Sequence, residues 1–295
     1  MAGEIYLVPT DADGAQHAGE DVTKWPLPVR RADGTFEPGA AIEPQAGTPI
    51  VLHDLDGLLD ELGERIFLAE VLEEGSGGAT RARLVSETSW NLHEAARFAL
   101  DCAEHVVTAP DQLRLPSGAS LADILAEARA RLEEEERTGS GLLERISRLA
   151  LARRLRHASD DVADLALMLT AEDESEDLDA LDDPHWTAVA AIRDAVLSSV
   201  EAIRHDALPW LFESENRRYE VDAGSASASA PSEIVSTPWG NFAARGRSGV
   251  VPASVAARDA AERARQAAAD AGGEAAGDKE RAWQRERLTA ALRLR

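Results

Sequence analysis

The hydrophobic period of this 295-residue chain changes at Ser89, and that change constrains the fold more than any other feature. Before it, apolar residues alternate. Over residues 65–74, Ile66, Leu68, Glu70 and Leu72 fall on one side and Phe67, Ala69 and Val71 on the other. Residues 80–87 alternate through Ala82, Leu84 and Ser86. Period two is the pattern of a strand, and the connection Gly75-Ser76-Gly77-Gly78 predicts a β-hairpin between the two arms. Short apolar runs at 5–8 and 50–52, bounded by proline or glycine, suit buried strands. Residues 56–62 suit one short helix.

Beyond Ser89 the spacing is helical. Ser89 stands where an N-cap belongs, and Leu92, Ala95, Ala96, Ala99, Ala103 and Val106 recur at helical intervals. Ser120 and Asp123 resemble a capping box ahead of Leu121, Ile124, Leu125, Ala128 and Leu132. Gly139-Ser140-Gly141 break the pattern, and residues 142–157 and 160–170 form one long helix or two. Pro184 occupies a first-turn position for a helix over 185–212. Residues 222–232 are mostly Ala, Gly and Ser, a flexible-linker composition. A loop, Thr237-Pro238-Trp239-Gly240, follows it. Helices over 253–271 and 278–294, separated by Gly272-Gly273, close the chain.

The expected fold is therefore mainly α, a helical bundle with a small N-terminal β-rich module. Residues 1–88 form the β-rich module. Residues 89–221 form the helical domain, with an acidic connector at 172–183. Residues 222–236 are the flexible linker. Residues 237–295 are a C-terminal helical hairpin packed on the helical domain, with Ala256, Ala260, Ala264 and Ala267 as a small-residue stripe and Trp283, Leu288, Ala291 and Leu292 as an apolar face.

Charge bounds the function. The chain carries 54 acidic and 31 basic residues, a formal net charge of −23. Such a field repels nucleic acid and anionic membranes and attracts basic proteins. Residues 240–295 hold 11 basic and 7 acidic side chains, so the acidity is concentrated in the preceding part. No apolar run approaches the roughly 20 residues of a membrane span. The N-terminus lacks the basic region of a signal peptide, and a lone cysteine gives no disulfide framework. The expected location is cytoplasmic, with no nucleic-acid or membrane partner and no cofactor.

No P-loop, GxGxxG, CxxC, HExxH or GxSxG pattern occurs. The richest segment is 90–105, where Arg97 and Asp101, and Asp101 and His105, stand four apart on one helical face. This is either a polar cluster aimed at a partner or ligand, or an i,i+4 ladder on a half-exposed helix. Cys102 lies mid-helix, away from a thiolate-stabilising N-terminus, and reads as a buried structural thiol. His17, His53, His93, His105, His157, His185 and His205 show no HxH or HxxxH spacing, so no metal site is expected. Residues 172–183 carry eight carboxylates in twelve positions. Glu172, Asp173, Glu174, Glu176, Asp177, Asp179, Asp182 and Asp183 are candidate contacts for a basic partner. The other reading is a solvated loop. Trp186, Trp210, Trp239 and Trp283 sit at helix ends or in loops, as helix anchors or as interface residues.

The segment from Val255 to Ala269, with Arg258, Arg263 and Arg265 among alanines, and the run Glu280-Arg281-Ala282-Trp283-Gln284-Arg285-Glu286-Arg287-Leu288 resemble the carboxy-terminal end of the immunity protein 5-like family of alanine-rich bacterial proteins. The helix containing Asp101-Cys102-Ala103-Glu104 resembles that family's first helix. The family's Trp-Ala-Ala repeats are nearly absent. The resemblance implies a helical protein that neutralises a cognate toxin by binding, and it carries over no catalytic residue. The leading expectation is thus an acidic, non-enzymatic protein-binding module, an immunity or antitoxin-like protein that occludes a basic partner. One alternative is a ligand-binding protein or enzyme with a site between the N-terminal module and the 90–105 helix. Another is a structural or regulatory subunit of a larger bacterial assembly.

Overall fold

A computed structural model describes residues 6–18, 21–43, 50–75, 78–106, 120–135, 184–207, 234–237, 240–243 and 253–294. In chain order the first elements are β1 (Tyr6–Thr10), β2 (Ala15–Ala18), β3 (Asp21–Lys24), β4 (Val29–Arg30), β5 (Phe36–Glu37) and α1 (Leu55–Asp60). A long hairpin follows, β6 (Arg65–Gly75) and β7 (Gly78–Glu87), then α2 (Leu92–Val106) and α3 (Leu121–Glu135). The remainder comprises α4 (Pro184–Ala207), β8 (Ile234–Thr237), β9 (Gly240–Ala243), α5 (Ala253–Gly272) and α6 (Glu274–Leu292).

The hairpin read from alternation is formed, with Gly75 opposite Gly78, and β1 pairs antiparallel along the other edge of β6. The order is β1-β6-β7. Alternation then sorts the side chains into two cores. Leu7, Ile66 and Leu68 join the helices. Val8, Phe67, Ala69, Ala82 and Leu84 pack on the opposite face around Trp25 and Ile50. Trp25 Nε1 donates to Gln16 Oε1 at 3.0 Å, and Gln16 Nε2 donates to the Val51 carbonyl at 3.1 Å. The indole is thus buried with its polar atom satisfied.

On the helical side, α4 is the enclosed element. From Thr187 to Val200 only Arg193 and Leu197 are not fully buried, the pattern of a helix covered all round. It packs against α2, α3 and α5. Alanines at 256, 257, 260, 261 and 264 form the inner face of α5, and small side chains permit short interaxial distances. Ser198 Oγ donates to the Ala253 carbonyl at 2.7 Å across that contact. Gly273, at φ 79°, joins α5 to α6 directly. A Cβ at Gly277 would lie 3.0 Å from Ala269 Cβ, so glycine permits the close return of α6 along α5.

The chain is mixed α/β, not a mainly α helical bundle with a small β-rich module. The sheet is a wall of the main core. Leu7, Leu58, Leu62 and Ile66 form one continuous apolar cluster with Trp90, Ala95, Ala99 and Leu288. Other expectations shift locally. Asn91, not Ser89, caps α2, its Oδ1 accepting from the backbone of His93 and Glu94. Ser89 Oγ instead donates at 2.6 Å to the Ala291 carbonyl in the last turn of α6, one of the acceptors a helix end leaves unsatisfied. The capping box at Ser120 and Asp123 is formed reciprocally. Helix α6 begins at Glu274, earlier than the expected 278. Residues 234–236, placed in the linker, belong to β8, which pairs with β9 across positions read as a loop. Residues 142–170, 208–212 and 222–232 lie outside the described residues.

The first and last helices are clasped together. Arg281 donates through Nη1 and Nη2 to the Asp60 carboxylate at 2.7 and 2.9 Å, and through Nη2 to the Asp56 carbonyl at 2.6 Å. Arg285 Nη1 donates to Asp56 Oδ2 at 2.9 Å. The Arg281 hydrogen bond holds the Asp60 carboxyl below its usual range, against a smaller opposing effect of burial. Asp60 therefore favours the fold while ionised. Its contribution is complete above the ordinary aspartate value of about 3.9 and is lost as pH falls through the lower folded value. In Arg281→Gln, stability at neutral pH should drop and the acid limb of the stability curve should flatten. Urea unfolding between about pH 2 and pH 6 measures this, and identical acid limbs in the two proteins would contradict it.

Candidate functional site

Asp101, the centre of the sequence-derived cluster, faces out from α2 toward α3 and α6. Its Oδ1 accepts from Arg129 Nη2 at 2.7 Å and its Oδ2 from Arg287 Nη2 at 2.5 Å. Arg129 also reaches Glu104, with Nε to Oε1 at 2.9 Å and Nη2 to Oε2 at 2.8 Å. Burial opposes the Arg129 charge, but its bonds to Glu104 and Asp101 outweigh burial and raise its pKa. Ionised donors and acceptors form the stronger class of hydrogen bond, so one carboxylate on α2 ties together three helices.

His105 takes different partners. Its Nδ1 donates to Glu280 Oε2 at 2.5 Å, and its ring lies flat on Trp283, with centroids 3.9 Å apart and an interplanar angle of 2°. Glu280 is 3% exposed, and its other oxygen accepts from Gln284 Nε2 at 3.0 Å. Gln284 in turn donates to the Ala261 carbonyl at 2.8 Å. The Arg287 guanidinium stands 5.6 Å from the Trp283 ring centre, within cation–π range.

The proposed i,i+4 ladder is therefore not the wiring of the cluster. Arg97 Nη1 pairs at 2.6 Å with Glu94, three residues earlier. Asp101 bonds Arg129 and Arg287, and His105 bonds Glu280. The spacing rule brings neighbours on one helix together, but α3 and α6 cover this face and offer cations and a carboxylate at closer range. Sequence reading missed Arg129, Glu280 and Arg287. A faint trace existed in α6, where Glu280 and Gln284, and Trp283 and Arg287, stand four apart.

Cys102 is fully buried among Ala99, Ala103 and the neighbouring helices. Burial pushes its thiol well up, and the Glu280 and Asp101 carboxylates add to the effect against a smaller opposing pull from Arg287. A nucleophilic cysteine needs the reverse environment. Asp194 on α4 is another buried ionisable group. Burial raises its pKa, opposed by Arg193 and Arg263, which donate to its two oxygens at 2.6 and 3.1 Å. His53 Nε2 is buried without a hydrogen bond, 3.4 Å from Glu61 Oε2.

The eight acidic candidates, Glu172, Asp173, Glu174, Glu176, Asp177, Asp179, Asp182 and Asp183, lie outside the described residues. Among the described residues no group of three or more His, Cys, Asp or Glu side chains is arranged to hold a metal ion, and no helix is long and apolar enough to cross a membrane. No protein-family model, curated protein or solved structure matches the chain.

Two outcomes test this geometry. Asp101→Ala removes the acceptor that Arg129 and Arg287 share, leaving Arg129 to Glu104, and should cost about 1–3 kcal/mol in chemical denaturation. A loss near zero would show that this carboxylate does not hold the three helices together. Cys102 should react with a thiol reagent at neutral pH only as fast as the protein opens, and rapid labelling of the intact fold would show the thiol to be accessible.

Proposed function

We propose that this protein is an acidic binding module that occludes a basic protein partner, in the manner of an immunity or antitoxin-like protein, and that it acts in the cytoplasm without catalysing a reaction. The observation that supports this reading is the distribution of charge. The net charge is −23, and many of the cations are turned into pairs within the molecule. Arg65 is held by Glu87, Arg83 by Glu70, Arg129 and Arg287 by Asp101, Arg193 and Arg263 by Asp194, and Arg281 and Arg285 by Asp60 and Asp56. The surplus over the whole chain is carboxylate. Complementary charge accelerates encounter and selects the partner's sign more than it sets affinity. The fit of the Asp101 cluster to this reading is as a joint that fixes α2, α3 and α6.

The test begins with the partner recovered from the native host and identified. Its association rate should fall steeply as salt rises, because exposed charges are screened beyond about 8 Å at physiological ionic strength. Neutralising Glu172, Asp173, Glu174, Glu176 and Asp177 together should slow association much more than it speeds dissociation. A rate independent of salt would remove the electrostatic reading, and a partner of net acidic charge would remove the basic-partner reading.

A further inference from the structure

The stripe that α6 buries is Gly277, Glu280, Gln284, Leu288 and Leu292. Two of these five are large apolar side chains, with Trp283 and Ala291 partly buried beside them. α5, by contrast, buries eight residues, seven of them alanine, and α4 is covered nearly all round. Apolar burial is therefore a smaller part of what seats α6. Side-chain tethers to other elements supply much of the rest. Arg281 and Arg285 hold Asp60 and Asp56 of α1, Arg287 holds Asp101 of α2, and Glu280 holds His105 of α2. Asp60, Arg285 and Arg287 are about half exposed, so these pairs are of the weak, salt-screened kind. The connection behind them is a pair of glycines. α5 ends at Gly272, α6 starts at Glu274, and Gly273 between them holds φ 79° with no atom within 4 Å of the place a Cβ would take. Glycine enters that region at little cost. Beneath α6 lies the only thiol of the chain. Cys102 is wholly buried, and it stands on α2 between Asp101 and His105, both bonded to α6. It shares one apolar cluster with Leu288 and Leu292, and the charges of Glu280 and Arg287 both reach its sulfur.

We propose that α6 is a hinged strap that swings away from α1 and α2 about Gly272-Gly273 while the rest of the fold stays closed, and that this opening, not global unfolding, is what uncovers Cys102. Proteins open in cooperative units whose free energies lie below that of global unfolding, and the unit here ends where the glycine pair interrupts the helices. The ion pairs set how often it opens. Each is made only in the closed state, so raised salt or the loss of an arginine favours the open one. A cationic group that takes Asp56 and Asp60 from Arg281 and Arg285 acts in the same direction. The strap thus couples the charge on α1 to the exposure of a thiol on α2. This device is independent of what the protein binds.

The test labels Cys102 in the full chain with an aromatic disulfide reagent at neutral pH, at urea concentrations below the unfolding transition. The rate should be nearly flat in urea there, because opening the strap exposes little surface, and steep only where the whole fold melts. Sodium chloride should raise the rate. Arg281→Gln combined with Arg285→Gln should raise it about two- to twentyfold, the range of two partly exposed ion pairs. Leu84→Ala, in the second core, should lower the urea midpoint of unfolding and leave the labelling rate unchanged. Hydrogen exchange read by mass spectrometry should show residues 274–292 opening together, ahead of residues 187–200 in α4. Labelling that rises with Leu84→Ala as much as with the arginine pair follows global unfolding and overturns the strap. Exchange of 274–292 in step with α4 overturns it as well. If Leu84→Ala fails to fold, the urea dependence of the unsubstituted chain decides, since labelling through global unfolding rises steeply from the first addition of urea.

Discussion

Ile66 and Phe67 are neighbours in sequence, both wholly buried, and they belong to different cores. Everything else in the structure is arranged around that division. A strand alternates its side chains across the sheet, so two adjacent bulky residues can both be buried only if each face of the sheet is covered. The helices cover one face, and the segment carrying Trp25 and Ile50 covers the other. A slip of one residue in β6 would exchange the two sets. The pairing of Tyr6–Thr10 with Arg65–Ala69 fixes the register on one side, and the bond from Thr88 Oγ1 to the Ile66 carbonyl fixes the exit into α2.

The helical side solves a different problem. Its inner residues are largely alanines, which bring little apolar area each but permit close approach. Close approach brings backbone and short polar groups within reach of one another, as Ser198 to Ala253 and Gln284 to Ala261 show. Those bonds are needed, because a buried polar group without a partner costs about 1–3 kcal/mol. The larger charged groups follow the same logic. Asp194 sits between two arginines, and Glu280 between a histidine and a glutamine. A buried pair is not in itself a source of stability, since desolvation offsets the attraction, but removing one member is expensive. Such groups make the helix arrangement specific rather than merely apolar.

What the sequence revealed follows from how far each feature reaches along the chain. The β6–β7 hairpin, the Ser120–Asp123 box and the break at Gly272-Gly273 are local, set by residues within a few positions, and each was legible. The role of Ser89 was not, because its partner Ala291 is 202 residues away. The partners of Asp101 and His105 lie 28, 186 and 175 residues away. The i,i+4 rule supplied the nearest candidates on the same helix, and tertiary neighbours displaced them. The balance of the fold was misread for a related reason. The change of period at Ser89 reads as a border between a small β-rich module and a helical bundle, whereas Leu7 and Ile66 are integral to the helical core. β8 and β9 were hidden by a composition rich in small residues and by Pro238, which reads as loop.

The uneven charge of the chain acts twice. The C-terminal helices are relatively basic, and the preceding chain is acidic. Folding brings the two together, so that Arg281 and Arg285 meet Asp56 and Asp60, and Arg287 meets Asp101. Those cations are thereby neutralised at short range, while the net charge of the whole chain remains −23 and acts at longer range. The two uses differ in their exposure to salt. Asp194, at 5% exposure, is shielded from solvent and Asp101, at 17%, partly so, and such pairs are screened less by salt than the field of the exposed carboxylates, which falls off within about a Debye length. Asp56 and Asp60 stand between these cases, paired yet half-exposed or more. A cationic surface reaching α1 would compete with Arg281 and Arg285 for the same two carboxylates. Docking there would loosen the clasp that holds the last helix to the first.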